Sequence, residues 1–100
     1  MFLMSAILKR AENALAFRRC MSDLNSQTKL PPSWRILSCE PGDWSMDFEA
    51  TVVVPNGKDS AQIIDEFSRL NPRTGTLDDS SLTIELVREN VYCIRLVNTK

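Results

Sequence analysis

From Trp44 to Val54 the chain alternates with a period of two. Trp44, Met46, Phe48, Ala50, Val52 and Val54 fall on one side of an extended backbone, and Ser45, Asp47, Glu49 and Thr51 on the other. Successive side chains of a strand point to opposite faces, so this pattern buries one face and wets the other. Such a strand needs neighbours and a layer over its apolar side. The first neighbour lies just upstream, over residues 33–39. Glu40-Pro41-Gly42-Asp43 joins the two, with Pro preset for the first corner and Gly free to take positive φ. A three-residue loop at 41–43 sets Ile36 opposite Phe48 and Trp34 opposite Ala50, which keeps the large apolar side chains together. The hairpin therefore occupies about 33–54.

Ahead of it, residues 5–25 read as a helix. Leu3, Ile7, Ala11, Ala14 and Met21 share one side at 100° per residue, with Phe17 and Leu24 less central. Lys9, Glu12, Arg19 and Asp23 lie opposite, and Pro31-Pro32 forbid the helix to resume. Arg10 and Arg18 project on or beside the apolar stripe. Either their methylenes cover core while the guanidinium reaches water, or this side of the helix is not wholly buried.

After Pro55-Asn56-Gly57, Asp59 is an N-cap candidate and Gln62 completes a capping box. The helix covers about 60–70, with Ile63, Ile64, Phe67 and Leu70 on its apolar face, and Asn71-Pro72 stops it. Residues 73–80 read as a polar loop. A second hairpin, about 81–98, places Leu82, Ile84 and Leu86 with Tyr92, Ile94 and Leu96. A loop of Arg88-Glu89-Asn90 pairs Leu86 with Tyr92 and Ile84 with Ile94, with Asn tolerating the left-handed position. A two-residue loop would turn Arg95 toward the core, which excludes it. The order α-β-β-α-β-β across residues 1–100 predicts one α+β domain. It is a two-layer sandwich, a four-stranded antiparallel sheet with both helices on one face.

The chain has 100 residues and a net charge of −1, unevenly spread. Residues 1–35 carry six basic side chains against two acids, and residues 36–100 carry six against eleven. A basic helix of this kind either binds a polyanion or packs beside acidic sheet. Three cysteines, Cys20, Cys39 and Cys93, stand at long spacings without a C-x-x-C pair, so zinc-ribbon and thioredoxin-like readings have no support. An odd, scattered set reads as reduced thiols and a cytoplasmic setting. The opening run MFLMSAIL is too short for a signal-peptide core and no charge precedes it. No stretch approaches the ~20 apolar residues that span a bilayer.

The absence of histidine from the sequence rules out Ser-His-Asp and Cys-His arrangements within this chain, and histidine-ligated metal sites with them. Asn56-Gly57-Lys58-Asp59-Ser60 lacks phosphate-loop spacing and reads as a turn with a cap. Asp47, Glu49 and Glu85 read as a solvated sheet face with Arg35 and Arg95 as cross-strand partners. Asp78-Asp79 carry no calcium-loop pattern. The expectation is a non-enzyme without a cofactor.

The surface opposite the helices draws more interest. Leu37, Val53, Val87, Val91, Cys93 and Val97 accompany Arg95 there, a more apolar set than a wet sheet face needs. These seven form the candidate protein interface. Arg10, Arg18 and Arg19 form a secondary surface. The sequence thus reads as a protein-binding module (a regulator, adaptor, inhibitor or chaperone-like protein) that uses the open face or an edge strand, with self-association as one form. Two alternatives are a nucleic-acid-associated factor using the basic helix and an accessory subunit completing another protein's active site. The low pI of about 5.3 weighs against the first of these.

Overall fold

A computed structural model of the chain describes residues 2–42, 47–55, 59–77 and 80–98, with the backbone course alone for 2–13, 76 and 77. Along it run α1 (Phe2–Gln27), β1 (Arg35–Pro41), β2 (Phe48–Val53), α2 (Ser60–Leu70), β3 (Gly75–Leu77), β4 (Ser80–Arg88) and β5 (Val91–Asn98). The strands form one antiparallel sheet in the order β1-β2-β5-β4-β3. The α+β order and the helix-covered sheet are those the sequence predicts. The addition is β3, three residues from the segment read as a loop, which lies against the start of β4.

The core lies between the sheet and the helices. Phe48, Ala50 and Val52 of β2 and Tyr92, Ile94 and Leu96 of β5 point into it, with Val54 just beyond β2. Cys20 and Leu24 of α1 and Ile63 and Phe67 of α2 close it from above. Trp34 stacks on Phe67 with ring centroids 6.3 Å apart. Trp44 and Met46, expected on this same face, lie outside the described residues, as do Asn56-Gly57-Lys58 and Asp78-Asp79.

The register of the first hairpin differs from the expected one. Ile36 pairs with Val52 and Pro41 with Phe48, and the connection runs from Gly42 to Asp47, closed by the Gly42 N–H donating to the Asp47 carbonyl at 2.9 Å. Two features account for this. Asp47 does not sit on a wet face; it is buried, and its carboxylate accepts from the Asn98 N–H (3.0 Å) and Asn98 Nδ2 (2.7 Å). A bulge at Leu37 also shifts the pairing between Ile36 and Ser38. One extra residue reverses every later side chain. Cys39, placed on the open face by simple alternation, is thereby turned toward the helices, opposite Ala50.

There Cys39 is bonded to Cys20 of α1, with Cα atoms 5.8 Å apart, inside the range a disulfide spans. The reading of three reduced cysteines fails for this pair and holds for Cys93, which is free and buried. The bond also marks where α1 meets the sheet. Cys20, Leu24 and, in part, Met21 are covered, whereas Ala14, Leu15, Phe17, Arg18 and Arg19 are exposed. Of the predicted stripe, the described side chains from Ala14 onward are covered only from Cys20 to Leu24. α1 has 26 residues, about 39 Å of helix.

α2 begins as its sequence suggests. The Asp59 carboxylate accepts from the Gln62 N–H at 2.9 Å, and Gln62 Oε1 accepts from the Asp59 N–H at 3.1 Å. Its other end is fastened by buried Asn71. The Asn71 amide nitrogen donates to the Phe67 and Lys29 carbonyls (3.0 and 2.8 Å), and its oxygen accepts from the Lys29 N–H (2.7 Å). One side chain thereby joins the end of α2 to the segment leaving α1. Arg73 adds a second tie, donating to Gln27 Oε1 and Ser80 Oγ.

In the second hairpin Leu86 pairs with Tyr92 and Ile84 with Ile94, as expected. The three-residue loop expected here is not formed, and the connection is the two-residue one that the sequence reading excludes. The turn is Glu89-Asn90, Asn90 has φ of 63°, and a bulge at Val87 supplies the residue that keeps Arg95 out of the core.

Two stability outcomes follow. The double variant Cys20→Ser/Cys39→Ser should lose about 2–4 kcal/mol in urea denaturation, matching the loss of the native chain under reductant; equal stability with and without reductant would exclude the bond. Asn71→Ala should lose about 1–3 kcal/mol by the same measurement, because it leaves the part-buried Lys29 carbonyl and N–H without their partner.

Candidate functional site

The open face of the sheet is built by the alternate residues of β2, β5 and β4. Register places Glu49 opposite Arg95, Thr51 opposite Cys93 and Val53 opposite Val91, with Glu85 and Thr83 of β4 opposite Cys93 and Arg95. At its centre Arg95 donates to Glu49 Oε1 at 3.0 Å, and the Cys93 thiol donates to the same oxygen at 3.5 Å. The Arg95 guanidinium, and then the thiol, hold the Glu49 carboxyl below its ordinary value against the opposing effect of burial. Burial pushes the Cys93 thiol up, and the adjacent Glu49 carboxylate adds to this. Cys93 is therefore a protonated, poorly nucleophilic thiol at neutral pH. The ion pair itself is half-exposed and adds little to stability.

This polar centre divides the apolar surface expected here. Val91 and Cys93 are each only 6% exposed, so neither is available to a partner. Val53 is half-buried. Leu37, Val87 and Val97 are exposed but separate: Leu37 is on β1, Val87 stands near the β4–β5 turn, and Val97 is at the other end of β5, opposite Ser81. Arg95 is exposed but engaged by Glu49. Of the secondary surface, Arg18 and Arg19 are exposed beside Leu15 and Phe17; Arg10 belongs to α1, with its side chain outside the described set.

The sheet edges differ from one another. β1 ends in Pro41, which has no N–H to offer a further strand. On the other side, β3 pairs with β4 only from Ser80 to Leu82. From Thr83 to Arg88, no described residue pairs with the outer edge of β4. Alternate N–H and C=O groups of that stretch face outward, as they do on any edge strand. The side chains along it include Leu86, 49% exposed, and Val87, 58% exposed.

Sequence reasoning assigned Leu86 to the core, and it does lie on the helix side, opposite Tyr92. Its exposure follows from element lengths. α2 has 11 residues and β4 has nine, about 16 Å of helix against about 30 Å of strand. Leu82 is sealed and Leu86 is not. The available signal was the mismatch between a long second hairpin and the short elements preceding it.

Hollows elsewhere are shallow and polar. One of about 590 Å³ runs along α2 beside Gln62, Asp65, Glu66 and Arg69, and one of about 350 Å³ lies beside Glu40, Asp47, Glu49 and Arg95. Among the described residues no group of three His, Cys, Asp or Glu side chains is placed to hold a metal ion, and no helix is long and apolar enough to cross a membrane. Compared with protein-family models, curated proteins and solved structures, the chain matches none.

Arg95→Gln should raise the Glu49 pKa toward the ordinary carboxylate value, read by NMR titration. A group whose folded pKa is lowered adds stability that is present at neutral pH and lost as pH falls through that lowered value. The variant should therefore have a flatter stability profile on the acid side. An unchanged Glu49 titration would show that Arg95 does not govern it.

Proposed function

We propose that this chain is a non-enzymatic protein-binding module that receives an extended segment of its partner along the outer edge of β4. The observation that carries this reading is the stretch Thr83–Arg88, whose outer edge no described residue pairs, beside exposed Leu86 and Val87. Strand addition draws affinity from backbone hydrogen bonds and selectivity from alternate side chains. The two sides of this edge are unlike. Ile84 and Leu86 favour apolar residues on the helix side, while Thr83 and Glu85 favour polar ones on the open side. The preferred segment therefore alternates apolar and polar residues. A regulator, adaptor, inhibitor or chaperone-like protein works in this way. The Cys20–Cys39 bond favours an oxidising surrounding over the cytoplasmic one that the cysteine count suggested.

A second reading uses α1, where Arg18 and Arg19 are exposed next to Phe17, to approach nucleic acid. It predicts retention on heparin that weakens steeply with salt, and an overall acidic chain argues against it.

The test is hydrogen exchange on the chain with a captured partner. Amides of Thr83–Arg88 should become protected, and Leu86→Lys or Val87→Lys should abolish capture while the fold persists. Partners that bind both variants as tightly as the native chain, leaving those amides unprotected, would reject the edge as the site.

A further inference from the structure

We infer that the strand received on this edge is β4 of a second copy, so that two chains join their sheets about a twofold axis. This rests on the strand-addition reading above and identifies its partner.

Charge self-complementarity carries the inference. Glu85 pairs with Cys93 and Arg88 with Val91. Cys93 and Val91 are two residues apart on β5 and share the open face, so Glu85 and Arg88 share it as well. Without the bulge at Val87, side chains three apart would point to opposite faces. Neither Glu85 nor Arg88 makes an ion pair among the described residues. In an antiparallel pair of β4 strands centred between Leu86 and Val87, Glu85 of each copy opposes Arg88 of the other. The same register brings Leu86 of each copy against Val87 of the other. The alternative register centred on Glu85 sets two carboxylates face to face, which is unfavourable.

The difference between the edges explains why association stops at two. β4 offers the open edge, and β1 ends in Pro41, which lacks the N–H a further strand needs. A self-complementary contact uses the same patch on both copies and closes on itself. The interface is small. Six residues a side fall well below the roughly 1,200 Å² of a stable complex, so the dimer dissociates readily on dilution.

Sedimentation velocity of the full, disulfide-intact chain across a concentration series is the experiment. The expected result is a reversible monomer–dimer equilibrium. Glu85→Arg or Arg88→Glu alone should weaken it about tenfold, since each creates two like-charge contacts. The double variant Glu85→Arg/Arg88→Glu should return it to within about threefold of the native value. Val87→Lys should leave only monomer, with an unchanged circular dichroism spectrum, and Leu37→Lys on β1 should change nothing. A strict monomer up to millimolar concentration, or a dimer that Leu37→Lys breaks and Val87→Lys does not, overturns the inference. If that monomer still shows Thr83–Arg88 protected by a different protein, the strand-addition reading stands and only the second copy falls.

Discussion

The pairing of β2 with β5 holds this molecule together. It joins the two hairpins, pairing Phe48 with Leu96 and Ala50 with Ile94, each more than forty residues apart in sequence. Those four side chains are almost wholly buried, and they make the floor on which both helices rest. β1 and β4 are added outward from this pair. Removing this pairing would leave two separate hairpins, neither with enough apolar surface to persist alone.

Two bulges then redirect what hangs on that centre. At Leu37 the extra residue turns Cys39 inward to meet Cys20, which pins α1 to the sheet. At Val87 the extra residue keeps the β4–β5 register in step around a short turn and sets Glu85 and Arg88 on one face. A bulge costs a local ladder bond and gives a new side-chain direction. Both bulges lie near the ends of their hairpins, where strand pairing gives way to an edge.

Neighbours govern the open face as well. Val91 and Cys93 look like open-face residues because they alternate with Tyr92 and Ile94. They do lie on that face, but on a central strand, Cys93 beside Glu49, Arg95 and Glu85 and Val91 between Val53 and Arg88, and each is only 6% exposed. Alternation specifies the face of a residue and says nothing of its cover. Leu86 shows the converse: it points toward the helix layer and remains half-exposed because α2 is short. The residues with most to offer a partner, Leu86 and Val87, are thus one that was expected in the core and one that was expected on the interface.

Local chemistry was sufficient for much of the fold. The capping box at Asp59 and Gln62, the stop at Asn71, the inward set Phe48, Ala50 and Val52, and the pairing of Leu86 with Tyr92 all depend on neighbours within a few residues or on strict alternation. The absence of histidine from the sequence rules out histidine-dependent triads and histidine-ligated metal sites within this chain. Tertiary structure decided the rest. The Cys20–Cys39 bond, the burial of Asp47 by Asn98, the β1 register and the open edge of β4 each depend on how far one element reaches along another. Such reach is set by packing between segments distant in sequence, and periodicity within a single segment carries no record of it.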